Sequence, residues 1–317
     1  MTTDLTALIK QKAKQHFPYL IDVRRHLHAH PELSFKEVET SRYISTQLIK
    51  HRIEHESGIV NTGIVALIKG RNPDKLCVLL RADMDALPIT EKNEVPYKST
   101  NEGLMHACGH DVHSTCVLGA AIILNELKDS FEGTIKIIFQ PGEELLPGGA
   151  SLMIKEGILL NPKVDAALAL HVFSDLDAGQ AGFRSGMYMA STDEIYITII
   201  GKGGHAAMPA EYNNPILIAS EVLLELSKEF PNIAAPSEEG GRGEGIPTVL
   251  AFGKISANGA TNVIPEQAYI EGTFRTMNEA WRKQSHEKIK EIVNTIAKSK
   301  NAKAEVNIIS GYPFLVN

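Results

Sequence analysis

The chain has 317 residues, of which 32 are basic and 38 acidic, so its formal net charge is −6; 43% of the residues are hydrophobic and 22% are charged. This composition is ordinary for a soluble globular protein and excludes a disordered, collagen-like or coiled-coil chain. The mild acidity without a long basic run argues against a nucleic-acid partner, and the longest apolar stretch falls well short of the roughly 20 residues of a membrane helix.

The N-terminus and the cysteines indicate the compartment. The first residues lack an apolar segment followed by a cleavage site. The three cysteines, Cys77, Cys108 and Cys116, are an odd number in a chain long enough to bury its own core, which argues against a disulfide framework. We therefore expect a cytoplasmic protein that binds a small molecule.

The first half of the chain alternates strand and helix signals. Apolar, β-rich runs occupy Gly63–Lys69 and residues 76–80, 134–139 and 164–170, and helical patterns occupy residues 36–52 and 114–127. The strands are almost continuously apolar and the second helix is apolar nearly all round, which indicates burial on both faces. These patterns predict an α/β fold with a mostly parallel sheet and helices on both faces.

The second half has the texture of a smaller α+β domain. Its predicted elements are strands at 194–201, 248–255, Gln267–Thr276 and 304–310, a loop at 236–247, a helix from Pro215 to about residue 230 with Asn214 as N-cap, and a long helix capped by Asn278. We expect residues 1–187, with 312–317 returning to them, to form the larger domain and residues 188–311 to form the smaller, inserted one.

Polar side chains with metal-binding or acid–base chemistry follow the predicted strands of the first half. They are Asp83 and Asp85 after 76–80, Glu143 and Glu144 after 134–139, His171 after 164–170, and the run HACGHDVH at 106–113 before the second helix. In open α/β sheets the ligand crevice lies beyond the carboxyl ends of the strands, so these groups are expected to meet. Alone, each carboxylate is more often a turn or loop residue and His171 is equally often structural.

The run HACGHDVH favours a metal site because four imidazole or thiol groups in eight residues have no packing rationale at the start of a helix. Thiolate, imidazole and carboxylate together are the ligand set of zinc or a comparable ion. Adjacent side chains of an extended segment point to opposite faces, so one of Glu143 and Glu144 can bind metal while the other acts as general base. This arrangement predicts hydrolysis by a metal-activated water.

A second histidine cluster lies at His26, His28 and His30. On a strand, two imidazoles separated by one residue would share a face and could bind metal. This stretch has no β-run and Pro31 follows at once, so we interpret it as the end of a helix and a turn without a metal role.

At these residues the chain resembles peptidase family M20, in particular the amidohydrolase branch that cleaves N-acyl amino acids, hippurate and amino-acid conjugates of indole acetate. The resemblance covers nearly the whole chain in the family's order. The matching motifs are RRHLHAHPELSF, LLRADMDALPI, HACGHDVH, IFQPGEE, LHV, GKGGHAAMP, TNVIP and GTFRT.

The resemblance implies a pair of divalent ions, manganese or zinc, with cobalt or nickel as further candidates. By analogy with the family, the metal ligands are Cys108, His110, Glu144 and His171. Glu143 is similar to the family's general base, which deprotonates the water and then protonates the leaving amine. Asp85 resembles a carboxylate of the family's first motif that contacts the metal ligands, and Asp83 stands where other branches of the family place a ligating histidine. From their chemistry, both are expected to orient the ligands.

The smaller domain is similar to the family's satellite or lid domain, which in relatives also mediates dimerisation, so the resemblance implies a homodimer. His205 matches a residue that donates to the oxyanion of the tetrahedral intermediate, across the dimer in similar enzymes. Asn262 and Arg275 resemble the pair that holds the free carboxylate of the substrate. Without the resemblance, His205 would be interpreted as a loop histidine and Arg275 as a surface strand residue.

The chain departs from the family at its C-terminal side. Relatives carry a last metal-binding histidine in a segment after the position of GYPFLVN, and this sequence ends at Asn317. We therefore expect the 317 residues to hold only part of the metal site and to expose apolar surface.

The prediction from sequence is a metal-dependent amidohydrolase that cleaves the amide bond of N-acyl amino acids or amino-acid conjugates, with Glu143 as general base. Two alternatives remain open at this stage. One is a non-catalytic protein of the same fold that binds metal and amino-acid conjugates. The other is an aminopeptidase or dipeptidase that requires a free amino terminus.

Overall fold

A computed structural model describes residues 4–232 and 246–317 of the chain. The chain divides into two units, unit 1 up to Gln180 and unit 2 from Ala181. Within the described ranges, no helix is long and apolar enough to cross a membrane. Cys77, Cys108 and Cys116 are all free thiols. The predicted loop at 236–247 lies largely outside the described residues.

Unit 1 is an α/β domain, as predicted. Its helices are α1 (Leu5–Ala29), α2 (Val38–Lys50), α3 (His110–Glu126) and α4 (Gly149–Lys155), and its strands are β1 (His55–Ile59), β2 (Gly63–Lys69), β3 (Cys77–Asp83), β4 (Thr134–Gln140) and β5 (Ala166–Ala169). The sheet has the order β1-β2-β4-β3-β5. Strands β4, β3 and β5 are parallel, and β2 and β1 extend the sheet in antiparallel register.

Helices cover both faces of this sheet, which confirms the expected layering. On one face α1, α2 and α3 pack through Val23, Ile44 and Leu118 against alternate strand residues such as Ile137 and Phe139. On the opposite face, Met153 of α4 packs with Leu79 and Ile138. Each fully buried aliphatic side chain contributes roughly 1.5–3 kcal/mol of transfer free energy, so these layers stabilise the strand ends that carry the polar groups.

Two elements of unit 1 differ from the expectation. Helix α3 begins at His110 rather than at residue 114, because its first turn is polar and lies outside the apolar pattern. Strand β5 was expected to be buried, but all four of its residues are exposed because it is an edge strand that pairs only with β3. Nearby, Leu170 and Phe173 are 64% and 63% exposed.

Unit 2 is an α+β domain, as predicted. Its strands are β6 (Met187–Met189), β7 (Asp193–Ile200), β8 (Gly204–His205), β9 (Thr248–Ser256), β10 (Val263–Ile264), β11 (Gln267–Thr276), β12 (Lys303–Ser310) and β13 (Leu315–Val316), and its helices are α5 (Pro215–Glu229) and α6 (Glu279–Ser299). The main sheet is antiparallel with the order β12-β7-β11-β9, and β13 pairs with β6.

Helices α5 and α6 pack on one face of the unit 2 sheet and build a second core. Ile197, Ile270 and Phe274 of the sheet are buried against Val222 of α5 and Val293 of α6. The two predicted N-caps form, because the side chain of Asn214 accepts from Ile216 N and that of Asn278 accepts from Trp281 N.

Candidate metal centre and active site

Metal-binding side chains meet at one edge of the unit 1 sheet. Asp83 ends β3, Glu143 and Glu144 follow β4, and His171 follows β5. Because β3, β4 and β5 are parallel, their carboxyl ends share the edge at which open α/β sheets bind ligands. His110, in the first turn of α3, reaches the same edge. The alternation of buried strands and helices therefore creates the site.

His110 is common to three groups of metal-type donors whose atoms lie within 4.8 Å of one another. The groups are completed by Cys108 with His171, by Glu143 with Glu144, and by Asp83 with His113. The Sγ atom of Cys108 lies 3.3 Å from Nε2 of His171. The four ligands and the base predicted from the sequence thus lie in one cluster.

Gly109 allows the close approach of the segments that carry two of these donors. Its φ is +87°, and a Cβ atom at this position would lie 2.4 Å from a methyl carbon of Val172. Only glycine combines this left-handed conformation with the absence of a side chain. Cys108 is therefore brought beside His171, the residue before Val172.

Asp85 forms hydrogen bonds that orient two of the metal-type donors. Its Oδ1 atom accepts a hydrogen bond from Nδ1 of His110 at 3.2 Å, which leaves Nε2 of His110 directed at the other donors. Its Oδ2 atom accepts from the Ser34 hydroxyl at 2.6 Å and from the backbone N–H of Glu144 at 2.9 Å. One carboxylate therefore orients an imidazole and fixes the backbone of a neighbouring carboxylate, as metal sites require.

The residues fit a divalent cation. Nε2 of His110 is buried and has no hydrogen-bond partner in the part of the chain that the structure describes. It lies 3.7 Å from oxygens of Asp83 and Glu144 and 3.9 Å from Glu143 Oε2. These distances are too long for hydrogen bonds, whereas two ligands of one ion at usual bond lengths are about 3.3–3.8 Å apart. Thiolate, imidazole and carboxylate donors also suit zinc or manganese.

Asp83 supports the ligands and is itself held by two basic side chains. It accepts from Nδ1 of His113 at 2.7 Å and pairs with Arg81 at 2.8 Å. Burial opposes its ionisation, but the His113 hydrogen bond and the Arg81 charge outweigh burial and lower the pKa of Asp83. Because Nε2 of His113 accepts from the N–H of Val172, its Nδ1 carries the proton, and His113 connects Asp83 to the His171 segment.

Glu143 has the electrostatic environment of a proton carrier. Burial, and then the charge of Glu144, raise the pKa of Glu143 above its ordinary value of 4.5. A carboxylate with a raised pKa is a stronger base and, once protonated, can return the proton to a leaving group. Glu143 therefore meets the requirement for the predicted base beside a ligand.

Not all of the run 106–113 faces the metal centre. His113 binds Asp83, and His106 is buried with both ring nitrogens unpartnered among the described residues. Burial lowers the pKa of His106 to about 4, so its ring is neutral. A neutral imidazole keeps one N–H donor and one acceptor nitrogen, so the contacts among the described residues do not explain the burial of His106.

The second histidine cluster is the end of a helix, as interpreted from the sequence. Helix α1 continues to Ala29, and His30 follows it as the C-cap. His28 is buried between Asp111 Oδ2, at 2.7 Å, and Glu91 Oε1, at 3.1 Å. Its two nitrogens are occupied by carboxylates, so it anchors α1 to the start of α3.

The predicted residues of unit 2 are far apart: His205 and Asn262 lie in and beside the small β8–β10 sheet, beyond the Gln267 end of β11, and Arg275 lies towards the other end of β11. His205 is exposed in β8, pairs with Val263, and its Nδ1 atom accepts from Ala207 N. Asn262 is its neighbour, since its carbonyl accepts from Ala206 N. Arg275 lies near the far end of β11, about 26 Å along the strand from Gln267. The expectation that Asn262 and Arg275 form a pair is therefore not met within one copy of the chain.

Sequence reasoning missed several supporting residues. Ser34 contacts Asp85 and Arg81 contacts Asp83, but both are ordinary residue types that a sequence pattern does not single out. His113 belongs to the run that was expected to bind metal, and its contact with Asp83 was not foreseen. The available signal was indirect, because Arg81 and His113 lie inside the motifs that carry the predicted ligands.

Comparison with known proteins agrees with this geometry. Residues 79–317 match the family described as Peptidase family M20/M25/M40. The N-acyl-L-amino acid amidohydrolase of Geobacillus stearothermophilus is 38% identical over 294 residues, which cover 93% of this chain and 76% of the relative. The N-acetyl-L-cysteine deacetylase of Bacillus subtilis strain 168 is 39% identical over 298 residues, which cover 94% and 69%.

A solved structure has the same fold. The YxeP protein of Bacillus subtilis, described as a dinuclear metal binding peptidase from the M20 family, has a TM-score of 0.77 to this chain at 35% sequence identity. The match covers 96% of this chain and 76% of that protein. Sequence and fold therefore indicate the same family.

Proposed function

The chain belongs to peptidase family M20/M25/M40, as its motifs indicated, and from this premise we propose that it is a metal-dependent amidohydrolase that cleaves the amide bond of N-acyl amino acids. The observation that carries the proposal is the buried Nε2 of His110, which has no hydrogen-bond partner by geometry among the described residues and is surrounded by thiol and carboxylate donors, with Glu143 beside them. A non-catalytic binding protein would have no use for a base next to its ligands.

In unit 1, some residues would bind metal and another would transfer a proton. Two divalent ions, Mn²⁺ or Zn²⁺, would be held by Cys108, His110, Glu144 and His171. Asp83 and Asp85 would orient the residues that hold the ions. When bound, such ions polarise a carbonyl group and lower the pKa of water. Glu143 takes the proton of the attacking water and delivers it to the departing amino group.

The residues of unit 2 would recognise and polarise the substrate. His205 is exposed and able to donate to the oxyanion that forms on the attacked carbonyl. The Arg275 guanidinium and the Asn262 amide would bind the free carboxylate of the amino-acid part, because a guanidinium forms two parallel hydrogen bonds with a carboxylate. The preference for acyl amino acids follows from this anchor.

We also propose a homodimer formed through unit 2, because one copy places Asn262 and Arg275 far apart. In a two-fold dimer the His205 end of one copy can complement the Arg275 end of the other. The outer side of α5 supports this arrangement, since Leu217 and Leu224 are 67% and 64% exposed and one helical face carries both.

Residues 1–187 with 312–317 are proposed as the catalytic domain and residues 188–311 as the satellite domain. The pairing of β13 with β6 joins 312–317 to the segment around residue 187, and both strands belong to unit 2. We propose the cytoplasm as the site of action, since three free thiols suit a reducing compartment.

A substrate panel tests the activity. The metal-depleted protein is reconstituted with Mn²⁺ or Zn²⁺ and incubated with N-acetyl and N-benzoyl amino acids, with the same compounds as methyl esters, and with dipeptides bearing a free amino terminus. We expect cleavage of the amide bond in the acyl amino acids, much slower cleavage of the amide bond in their methyl esters, and no cleavage without metal. Bound metal without any hydrolysis would favour a binding protein, and cleavage of only the dipeptides would favour an aminopeptidase or dipeptidase.

A further inference from the structure

The motif RRHLHAHPELSF and the residues that follow it are not accounted for by the proposed chemistry. Residues 31–37, here called the buttress segment, lie between α1 and α2. The segment runs beside the residues after β3, because Ala86 N donates to Glu32 O at 2.8 Å and Leu33 pairs with Ala86. Its Ser34 hydroxyl binds Asp85. The buttress segment therefore contacts the metal centre through Asp85.

Glu37 is the N-cap residue of α2, but its side chain does not cap the helix. That role belongs to Glu32, whose carboxylate accepts from Glu39 N and Thr40 N at 3.2 and 2.8 Å. The Glu37 side chain is instead fully buried in unit 1. Burial of a carboxylate is unfavourable unless it is hydrogen-bonded, so the contacts of Glu37 indicate its structural role.

The contacts of Glu37 lead to the turn that carries the base. Its Oε1 atom accepts from Phe35 N at 2.9 Å and from Gly142 N at 2.7 Å, and its Oε2 atom accepts from the Thr62 hydroxyl at 2.8 Å. Gly142 immediately precedes Glu143 and Glu144. Burial raises the pKa of Glu37, although these hydrogen bonds oppose the increase.

The turn is held at further points around Glu143. The carbonyl of Gly142 accepts from Gly149 N at 2.9 Å, and Glu144 N donates to Asp85. Gly142 has a φ of +55° and its α-carbon lies against the Phe35 ring, which a Cβ atom would meet at 2.4 Å. Glu37 supplies the anchor on the N-terminal side of Glu143, and Asp85 supplies the anchor on its C-terminal side.

We propose that Glu37 is a positioning residue for both Glu143 and Glu144. By holding the N–H of Gly142 it fixes the turn from which the proton carrier and a metal ligand project. The effect on turnover rests on the proposed function, whereas the effect on metal binding does not. Because outer partners of metal ligands typically contribute 10–100-fold to affinity or activity, the loss of this anchor has a measurable consequence.

The test compares four variants of the full chain. Glu37→Ala removes the anchor, and Glu37→Asp keeps the charge but shortens the side chain so that it no longer reaches Gly142. Glu37→Gln retains the bond to Gly142 through its carbonyl oxygen, since the Thr62 hydroxyl can rotate to accept from the new amide. Thr62→Ala is the matched control, because it removes a bond to Glu37 and leaves the turn untouched.

Two quantities are measured on each variant that melts cooperatively. The first is the binding of Zn²⁺ or Mn²⁺ alone to the metal-depleted protein by calorimetry, and the second is kcat and KM for an acyl amino acid. For Glu37→Ala and Glu37→Asp we expect metal affinity to fall about 10-fold and kcat about 10–100-fold, with KM changed less than about threefold. Glu37→Gln and Thr62→Ala should stay within about threefold of the parent in both quantities, given the usual context dependence of such effects.

Three results would overturn the proposal. The first is wild-type metal affinity in both Glu37→Ala and Glu37→Asp. The second is a loss of metal affinity and kcat in Glu37→Gln as large as in Glu37→Ala. The third is a loss of metal affinity and kcat in Thr62→Ala as large as in Glu37→Ala. If Glu37→Ala does not fold, Glu37→Asp and Glu37→Gln decide. If the parent chain hydrolyses nothing, the proposed function fails, and the metal titration still tests the positioning role.

Discussion

Single side chains at the metal centre have divided roles, and Asp85 shows this most clearly. It contacts Nδ1 of His110, the Ser34 hydroxyl and the backbone N–H of Glu144. Because a protonated Nδ1 leaves the lone pair on Nε2, Asp85 selects the tautomer of His110 that can bind metal. We therefore expect its carboxylate to affect metal affinity through His110 and Glu144.

We predict that Asp85→Ala weakens binding of Zn²⁺ or Mn²⁺ by about 10–100-fold, because His110 and Glu144 lose their common support. Calorimetric titration of the metal-depleted protein measures the change. Asp165→Ala is the control, since Asp165 also hydrogen-bonds a backbone N–H, that of Cys77, but lies away from the donor cluster. Unchanged affinity in Asp85→Ala would show that His110 is oriented by other contacts.

The donors could be predicted from the sequence, whereas most of their supports could not. Asp83, Glu143 and His171 each follow an apolar run, and an α/β topology brings such positions to one edge. Glu37 and Ser34 act over more than fifty positions of sequence, and nothing local distinguishes them from helix-cap or loop residues. Long-range hydrogen bonds carry no sequence period, so only coordinates reveal them.

Among the elements, β7 and α6 are joined by a buried ionic cluster in unit 2. Asp193 at the start of β7 accepts from Arg282 and His286 of α6 and from Gly311 N. Burial opposes the charge of Asp193, but the hydrogen bonds from His286 and Arg282 and the Arg282 charge lower its pKa from 3.8 to about 2. The cluster therefore fastens α6 to the strand on which it packs.

The depressed pKa of Asp193 predicts the acid behaviour of unit 2. A group whose pKa is lower in the folded state stabilises the fold above its unfolded pKa, and loses this effect as pH falls through the folded value. The contribution, about 2 kcal/mol, should disappear between about pH 4 and pH 2. Unfolding monitored by Trp281 reports on unit 2, because it is the only tryptophan of the sequence.

The comparison variant is Asp193→Asn, which should be less stable at pH 7 and should lose part of the dependence of stability on pH below 4. Asp165→Asn serves as the matched control because Asp165 belongs to unit 1. A parallel decrease in stability for the parent and Asp193→Asn from pH 5 to pH 2 would contradict the assigned role.

The predicted boundaries of helices and strands agree with the observed ones where an apolar period or a helix cap defines them. Strand Gln267–Thr276 and the caps Asn214 and Asn278 were predicted as observed. Helix α3 was predicted four residues short because its first turn carries His110 and Asp111, which serve the site and break the apolar pattern. The burial of β5 was misjudged, since neighbours in a sheet depend on topology rather than on composition.

At the scale of the whole molecule, the proposed homodimer makes each active site depend on two copies. His205 lies in the β8–β10 pair beyond the Gln267 end of β11, and Arg275 lies near the other end of β11, so one site would take His205 from one copy and Arg275 from the other. This arrangement requires that monomers lack activity, even when the metal centre is intact.

Subunit complementation tests that dependence. His205→Ala and Arg275→Ala should each be inactive alone, whereas a co-refolded mixture should recover about a quarter of wild-type activity, since half of the dimers are mixed and each holds one intact site. Light scattering confirms the oligomeric state. The chain carrying both substitutions, mixed with an equal amount of either single variant, is the control and should recover nothing. An inactive mixture of stable dimers would contradict the shared site.

The most direct measurement of the central claim combines bound metal and turnover in Glu143→Gln. If Glu143 is the proton carrier beside a metal centre held by Cys108, His110, Glu144 and His171, the variant should bind the same amount of metal as the parent. Its kcat should fall at least about 1,000-fold, because general base and acid steps each contribute about 10²–10⁴-fold. Full metal occupancy with wild-type turnover in Glu143→Gln would contradict the account.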